Sequence, residues 1–277
     1  MNWSRQKRLP SLKQEFQAYN KDMPTPFYHL SLADEILGKP GISPQVRDLL
    51  AAHRGAFLFG STAPDVQTMC GQDRRETHFF DLPISSAMSP AWERMLELYP
   101  GLAVPGQLEA NQAAFVAGYL CHLQADWLWV IQIFAPVFGP FAGWRTFDKR
   151  LYLHNVLRSY LDRQILPSLP PGLASELEQV EPQAWLPPVA DNCLVDWRDF
   201  LTMQLRPGAK IQTVEVFAAR QGIQVEEYYR LLESEDLLDQ EIFQKLSRQA
   251  LEIFRRQLID ENLLLLQDYF YAKGRRL

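Results

Sequence analysis

Residues 109–134 read Glu109-Ala110-Asn111-Gln112-Ala113-Ala114-Phe115-Val116-Ala117-Gly118-Tyr119-Leu120-Cys121-His122-Leu123-Gln124-Ala125-Asp126-Trp127-Leu128-Trp129-Val130-Ile131-Gln132-Ile133-Phe134. The run is too long for a strand and apolar on nearly all sides, which predicts a helix buried at the centre of the molecule. Its wider apolar context, residues 113–142, has the length of a membrane span. It also carries His122, Gln124, Asp126, Gln132, Pro136 and Gly139. Strongly polar groups in lipid cost several kcal/mol each, so a core helix fits better than a span.

Working outward, Pro136, Gly139, Pro140 and Gly143 mark a turn, followed by a helix expected over 146–166. Leu151, Leu153, Val156, Leu157, Tyr160, Leu161 and Ile165 form its apolar side. Upstream, residues 28–37 suit a short helix ended by Gly38 and Pro40. Ser43-Pro44 reads as an N-cap with proline at the first helical position. Residues 55–64 read as a tight glycine-bearing loop that delivers Asp65, and a second loop carries Glu76-Thr77-His78 to Asp81. Ser89-Pro90 opens a further helix.

The proline-rich segment 167–190 reads as a linker or surface excursion, and helical patterning resumes beyond it. Residues 213–235 read as a packed helical hairpin. A last helix is expected over 236–273, closed by Gly274. No strand alternation and no internal repeat is present, so the expected class is all-α. The organisation is a polar lead-in over 1–22, a helical core over 23–166, the segment 167–190, and a C-terminal helical extension over 191–277 packed on the core.

The 277 residues are 47% hydrophobic and 22% charged, with a net charge of -5. That is the composition of a globular protein, and its acidic balance gives no electrostatic reason to bind nucleic acid or an anionic membrane. The hairpin at 213–235 is acidic too, which argues against a DNA-reading helix-turn-helix. Cys70, Cys121 and Cys193 lie far apart in sequence; their odd number argues against a disulfide framework. The basic start Met1-Asn2-Trp3-Ser4-Arg5-Gln6-Lys7-Arg8 has no apolar run behind it. A secretory signal is not expected, and the cytoplasm is the expected location.

Five histidines are present: His29, His53, His78, His122 and His154. His122 and Asp126 stand four apart on the central helix, so both side chains project from one face. Imidazole and carboxylate are ordinary zinc ligands, and a buried histidine–aspartate ion pair would give the same pattern. His29 follows Pro24-Thr25-Pro26, Asp65 follows Pro64, and His78 precedes Phe79-Phe80-Asp81. Loops and helix starts of this kind aim single side chains into clefts, although a turn residue or a solvated histidine would look alike. His53, at an Arg-containing helix end, is explained by interaction with helix carbonyls. The aromatics Trp127, Trp129, Phe134, Phe138, Phe141 and Trp144 fit either core packing or an apolar wall for a ligand.

Four stretches occur in order: Met23-Pro24-Thr25-Pro26-Phe27-Tyr28-His29, Phe59-Gly60-Ser61-Thr62-Ala63-Pro64-Asp65, Glu76-Thr77-His78-Phe79-Phe80, and Ala117-Gly118-Tyr119-Leu120-Cys121-His122-Leu123-Gln124-Ala125-Asp126. Together they resemble the successive motifs of bacterial zinc-dependent phospholipase C-like proteins, over residues 23–166. The resemblance implies an all-helical fold related to the P1-type nucleases, holding up to three zinc ions. It implies His29 as an early ligand, Asp65 as ligand or catalytic base, His78 and His122 as a pair clasping one zinc, and Asp126 as a bridging carboxylate. A further histidine after the bridging aspartate is absent, the chain reading Trp127 to Phe134 there. Downstream, where the family pattern is a histidine and a glutamate four residues on, His154 meets Arg158, and a guanidinium cannot ligate zinc. The implied site therefore holds one or two zinc ions with the third position lost, Arg158 serving a substrate phosphate or a structural ion pair. The expected function is hydrolysis of a phosphoester or phospholipid by a metal-activated water; the alternative is a non-catalytic relative acting as a binding or structural module.

Overall fold

The central helix α6 spans Ala110–Trp129, and fifteen of its twenty residues are buried. It does not end at Trp129: one wider, π-type stretch, Val130–Phe138, carries the chain on and holds Pro136 inside it. This is a computed structural model, describing residues 24–144 and 146–271. The lead-in expected over 1–22 and the closing Gly274 lie outside the described residues.

Before α6 come α1 (Pro26–Leu37), α2 (Pro44–Ala52), α3 (Arg54–Gly60), α4 (Arg74–His78) and α5 (Ala91–Leu98). After it come α7 (Phe147–Ile165), α8 (Leu173–Glu178), α9 (Asp191–Leu205), α10 (Thr213–Gln221), α11 (Val225–Leu232) and α12 (Arg248–Tyr271). The starts follow capping chemistry. Thr25, Ser43 and Thr146 each accept a hydrogen bond at the N-termini of α1, α2 and α7, satisfying amide donors that have no partner inside the helix. Among the described residues no strand forms, only an isolated bridge between Pro40 and Ile42. The fold is all-α.

Four local expectations change. The loop expected over 55–64 is instead helix α3 followed by a tighter 3-10 turn, Ala63–Val66. His78 ends a short helix rather than riding a loop. The helix expected over 236–273 is broken: Glu235–Leu238 passes through a π-type turn, Asp239–Phe243, before α12 begins at Arg248. Segment 167–190, expected as a linker or surface excursion, contains α8 and contributes Leu173, Leu177, Val180, Trp185, Leu186 and Val189 to the buried core. Its prolines shape turns, while the apolar residues between them pack inward.

The cysteine reading changes as well. Cys70 and Cys193 are bridged, with Cα atoms 5.9 Å apart and 123 residues of chain between them; Cys121 is free and buried. The bridge removes the cysteine argument for a reducing compartment. No helix among the described residues is long and apolar enough to cross a membrane.

One contact sets the position of everything near the centre. A Cβ placed on Gly118 of α6 would fall 2.0 Å from the Phe57 carbonyl oxygen of α3, and one on Gly60 would fall 2.0 Å from the Phe115 carbonyl oxygen. The two helices therefore meet backbone to backbone, which only glycine permits. α12 packs along α6 from the other side, with Phe254 edge-on to Trp129 at 5.7 Å and Tyr269 donating to the Leu102 carbonyl at 2.9 Å.

Candidate metal centre

The α3–α6 contact brings the end of α3 against the residue one turn beyond Gly118. There the Ser61 carbonyl accepts a hydrogen bond from His122 Nδ1 at 2.8 Å. A carbonyl can only accept, so the proton is fixed on Nδ1 and Nε2 is left pointing inward. His78 is oriented the same way. Its Nδ1 lies 2.9 Å from Thr77 Oγ1, and that hydroxyl donates to the Arg74 carbonyl at 3.3 Å. The hydroxyl therefore accepts from Nδ1, and His78 Nε2 also faces inward.

All five residues expected as ligands converge. His78 Nε2 and His122 Nε2 stand 3.3 Å apart, and Asp126 Oδ2 lies 3.4 Å from the first and 3.7 Å from the second. Asp126 Oδ1 lies 3.3 Å from His29 Nε2, and His78 Nε2 is 3.6 Å from Asp65 Oδ1. His29 and His122 stack, ring centroids 3.7 Å apart. The ligand atoms fall into two groups, His78–His122–Asp126 and His29–Asp65–His122, each within a 4.8 Å span. Asp126 turns Oδ2 to His78 and His122 and Oδ1 to His29.

Two observations test whether a metal fits. His29 Nδ1 is buried and makes no hydrogen bond, and buried His29 Nε2 and Asp126 Oδ1 face only each other, at 3.3 Å, an incomplete state unless something else meets them. Zinc–nitrogen bonds of about 2.0–2.1 Å at a tetrahedral angle hold their nitrogens roughly 3.4 Å apart, and the two imidazole nitrogens here are 3.3 Å apart. The residues fit a zinc ion.

The electrostatics point the same way for four of the five residues. Burial pushes the His78 pKa down to about 4, and Arg74 adds to this against the pull of Asp65 and Asp126. Burial and the neighbouring His122 lower His29 as well. Burial works against a charge on His122, but Asp126, Asp65 and the Ser61 carbonyl outweigh it and raise its pKa. Burial alone would raise both aspartates; instead His122, His29 and Arg74 hold Asp126 well below the usual carboxylate range, and His78, His122 and His29 lower Asp65. These shifts favour ionised carboxylates and neutral His29 and His78, as ligation requires, whereas His122 is favoured as the cation and a metal would have to displace its proton.

Residues 28–165 match the model of a family described as zinc dependent phospholipase C. Over those residues this chain belongs to the zinc dependent phospholipase C family. No curated protein and no solved structure matches it. As a member of this family the chain has the all-α phospholipase C/P1 nuclease-like fold. The family is zinc-dependent, and the two His/Asp groups are this member's candidate metal-binding groups.

His154 and Arg158 stand apart from these groups. His154 accepts a hydrogen bond from Trp129 Nε1 at 3.0 Å and is packed against Trp129, Phe134 and Phe138. Burial, with Arg158 adding to it, drives its pKa well down. Arg158 donates to Asn155 Oδ1 at 2.9 Å, lies 4.3 Å from the Phe217 ring centroid, and lines a pocket that also reaches Asp65. The aromatic run after Asp126 divides: Trp127, Trp129, Phe134 and Phe138 are core, whereas Phe141 is 90% exposed. His53 closes α2, with Nδ1 2.8 Å from Asn111 Oδ1.

Arg74 was not singled out from sequence. It is buried and donates to Asp126 Oδ2 at 2.7 Å, with its guanidinium 4.6 Å from the Phe80 ring centroid. The signal was present: Asp73 caps α4, and Arg74 lies four residues before His78, on the same helical face. Trp197 of α9, which donates to the Thr62 carbonyl at 3.0 Å, was also missed. With the Cys70–Cys193 bridge it holds the turn bearing Asp65.

Proposed function

We propose that this chain is a metal-dependent hydrolase of phosphoric esters, phospholipase C-like, using one or two zinc ions. The observation that carries the reading is the convergence of His78 Nε2, His122 Nε2 and Asp126 Oδ2 at zinc-compatible distances, beside a pocket that opens at Asp65. Bound zinc supplies Lewis acidity, acidifying a water toward neutrality and drawing charge from a phosphoryl oxygen. The chain's own residues do the rest. Ser61 and Thr77 fix the tautomers of His122 and His78, so no reorientation is needed on binding. Arg74 and the imidazoles keep Asp126 anionic. Asp65, the only one of the five that is not fully buried, is placed to meet the substrate and to take a proton from the attacking water. His154 and Arg158 do not form a third metal position in this reading: Trp129 already uses His154 Nε2.

A second reading, a non-catalytic relative with a reduced site, draws on Arg74. Its guanidinium holds the same Asp126 oxygen that His78 and His122 face, and a cation there competes with a metal. Metal analysis of the purified protein separates the two. Near-stoichiometric zinc in the parent, lost in His122→Ala, with turnover of bis-p-nitrophenyl phosphate or micellar phospholipid, supports the hydrolase. Zinc without turnover of any phosphoester favours the binding module, and absence of metal after zinc loading sinks the metal-site reading.

A further inference from the structure

The pocket beside the metal centre has a volume of about 220 Å³. Asp65 forms one end of it, so a phosphate held at the centre can direct one substituent along the pocket. The walls come from both halves of the chain: Phe27 at α1 and Met69 just after the turn bearing Asp65, then Trp197 and Phe200 on α9 and Phe217 on α10. The last three lie beyond residue 165, where the family match ends.

The polar groups of this lining are turned to one another. The hydroxyls of Thr25 and Thr213 both donate to Asp162 behind the wall. Thr68 donates to the Asp65 carbonyl at 2.8 Å, and Gln204 joins the Phe200 carbonyl, at 3.3 Å, to the Gln212 amide, at 3.0 Å. Arg158 donates to Asn155, lies over Phe217 and sits in the field of Asp162. Arg220 is exposed at the rim, where water solvates its charge. Most of the surface left facing the pocket is apolar. Water inside it gives up hydrogen bonds that such walls cannot return, and an alkyl chain displaces that water at a gain. Met69, 46% exposed, and half-buried Phe200 keep one side accessible. The volume suits one short chain and excludes a pair of long ones.

We propose that this pocket is an apolar subsite for a single short alkyl chain on the phosphoester, so that the protein prefers phosphoesters carrying one such chain to those carrying none or two long ones. The proposal rests on the phosphoester reading above, and binding of unreactive ligands tests it without turnover.

The probes are methyl-, hexyl- and dodecylphosphonate, whose P–C bond resists hydrolysis, each kept below the concentration at which it forms micelles. Calorimetric titration of the zinc-loaded protein should show hexylphosphonate binding at least about tenfold more tightly than methylphosphonate, well within what burial of five methylenes supplies. Dodecylphosphonate should gain less than about threefold more, because the pocket is already full. Met69→Gln, at an exposed position, should cut the hexyl-over-methyl ratio several-fold, and Phe200→Gln should cut it further. Equal affinity for the methyl and hexyl ligands, no binding of the hexyl ligand, a second steep rise to dodecyl, or a ratio untouched by both variants overturns the proposal. Preferential turnover of a micellar one-chain lysophospholipid over a two-chain phospholipid supports it with a lipid as the source. A preference confined to soluble alkyl phosphoesters supports it with a free phosphoester. If the hexyl preference holds but no phosphoester is hydrolysed, the hydrolase reading fails and the subsite stands; turnover blind to chain length, with equal phosphonate affinities, does the reverse.

Discussion

A buried histidine cluster around Asp126 and the lone buried His154 lie on neighbouring helices, and their charge environments differ. Around Asp126, three imidazoles, a second carboxylate and a guanidinium converge, and His29 Nε2 and Asp126 Oδ1 face only each other, at 3.3 Å. Around His154, Trp129 donates to Nε2, Nδ1 makes no hydrogen bond, and the ring is enclosed by Phe134 and Phe138 with no carboxylate in contact. Burial lowers the pKa of His154 with only a cation, Arg158, nearby in charge terms; His122 is buried as deeply yet raised, because two carboxylates face it. Burial away from carboxylates thus lowers a histidine, and at His122 the carboxylates facing it outweigh that burial.

The sharpest way to break this contrast is Asp126→Ala. It strips His29, His78, His122 and Arg74 of their shared partner at once. Leaving Arg74 buried without that carboxylate should cost roughly 3–5 kcal/mol in denaturant unfolding, with zinc content falling to background. Asp126→Asn keeps the shape and should lose zinc with a smaller stability cost, separating ligation from folding.

Gly118→Ala attacks the scaffold instead. The added methyl would meet the Phe57 carbonyl oxygen at 2.0 Å, so α3 and α6 must part. A cost of about 1–3 kcal/mol is expected, together with weaker zinc affinity in a competition titration, because Ser61 moves away from His122. Unchanged affinity would mean the α3–α6 contact does not set the site.

His154→Gln tests the lone histidine. It keeps an acceptor within reach of Trp129, so about 1 kcal/mol of destabilisation is expected, with zinc content equal to the parent's. Loss of zinc would place His154 in the metal centre after all.

The smallest effect concerns Asp162, under the Thr25 cap of α1. Burial raises its pKa to about 7 from an ordinary 3.8, against the opposing effect of Thr25, Thr213 and Arg158. The folded protein therefore keeps a proton there that the unfolded chain releases. Its stabilising contribution is full below about pH 4 and is lost as pH rises through 7. His78, lowered to about 4, acts in reverse, its contribution being lost as pH falls through that value. Comparing Asp162→Asn with the parent cancels the histidine part. The melting temperature of the variant relative to the parent should climb between pH 5 and 8, and a flat difference would refute the shift.

Much of the fold was legible because its signals are local. Ser43-Pro44 and Thr146 place helix starts to within a residue, and the unbroken apolar run of α6 announces a buried helix. The misreadings come where tertiary contact overrides local preference. Gly55 and Gly60 read as loop residues, yet they serve helices in close approach: a Cβ on Gly55 would lie 2.9 Å from the Glu176 carbonyl oxygen. Cys70 and Cys193 carry no local mark of their pairing across 123 residues. In the site, His122 and Asp126 could be read as a pair because helical geometry fixes their relation. His29, Asp65 and His78 came only through the resemblance, and Arg74 was hidden in the charged run Asp73-Arg74-Arg75-Glu76.

The sequence by itself determined the all-α class, the burial of α6 and the spacing of His122 and Asp126, because a 3.6-residue period and end-capping depend on near neighbours alone. Tertiary structure decided which side chains converge around Asp126, which histidine is enclosed by aromatic rings, and that residues beyond 165, including Trp197, Phe217 and Arg220, wall the pocket at Asp65. Those outcomes depend on where helices cross, and a crossing is set by contacts such as Gly118 against Phe57, between residues 61 positions apart.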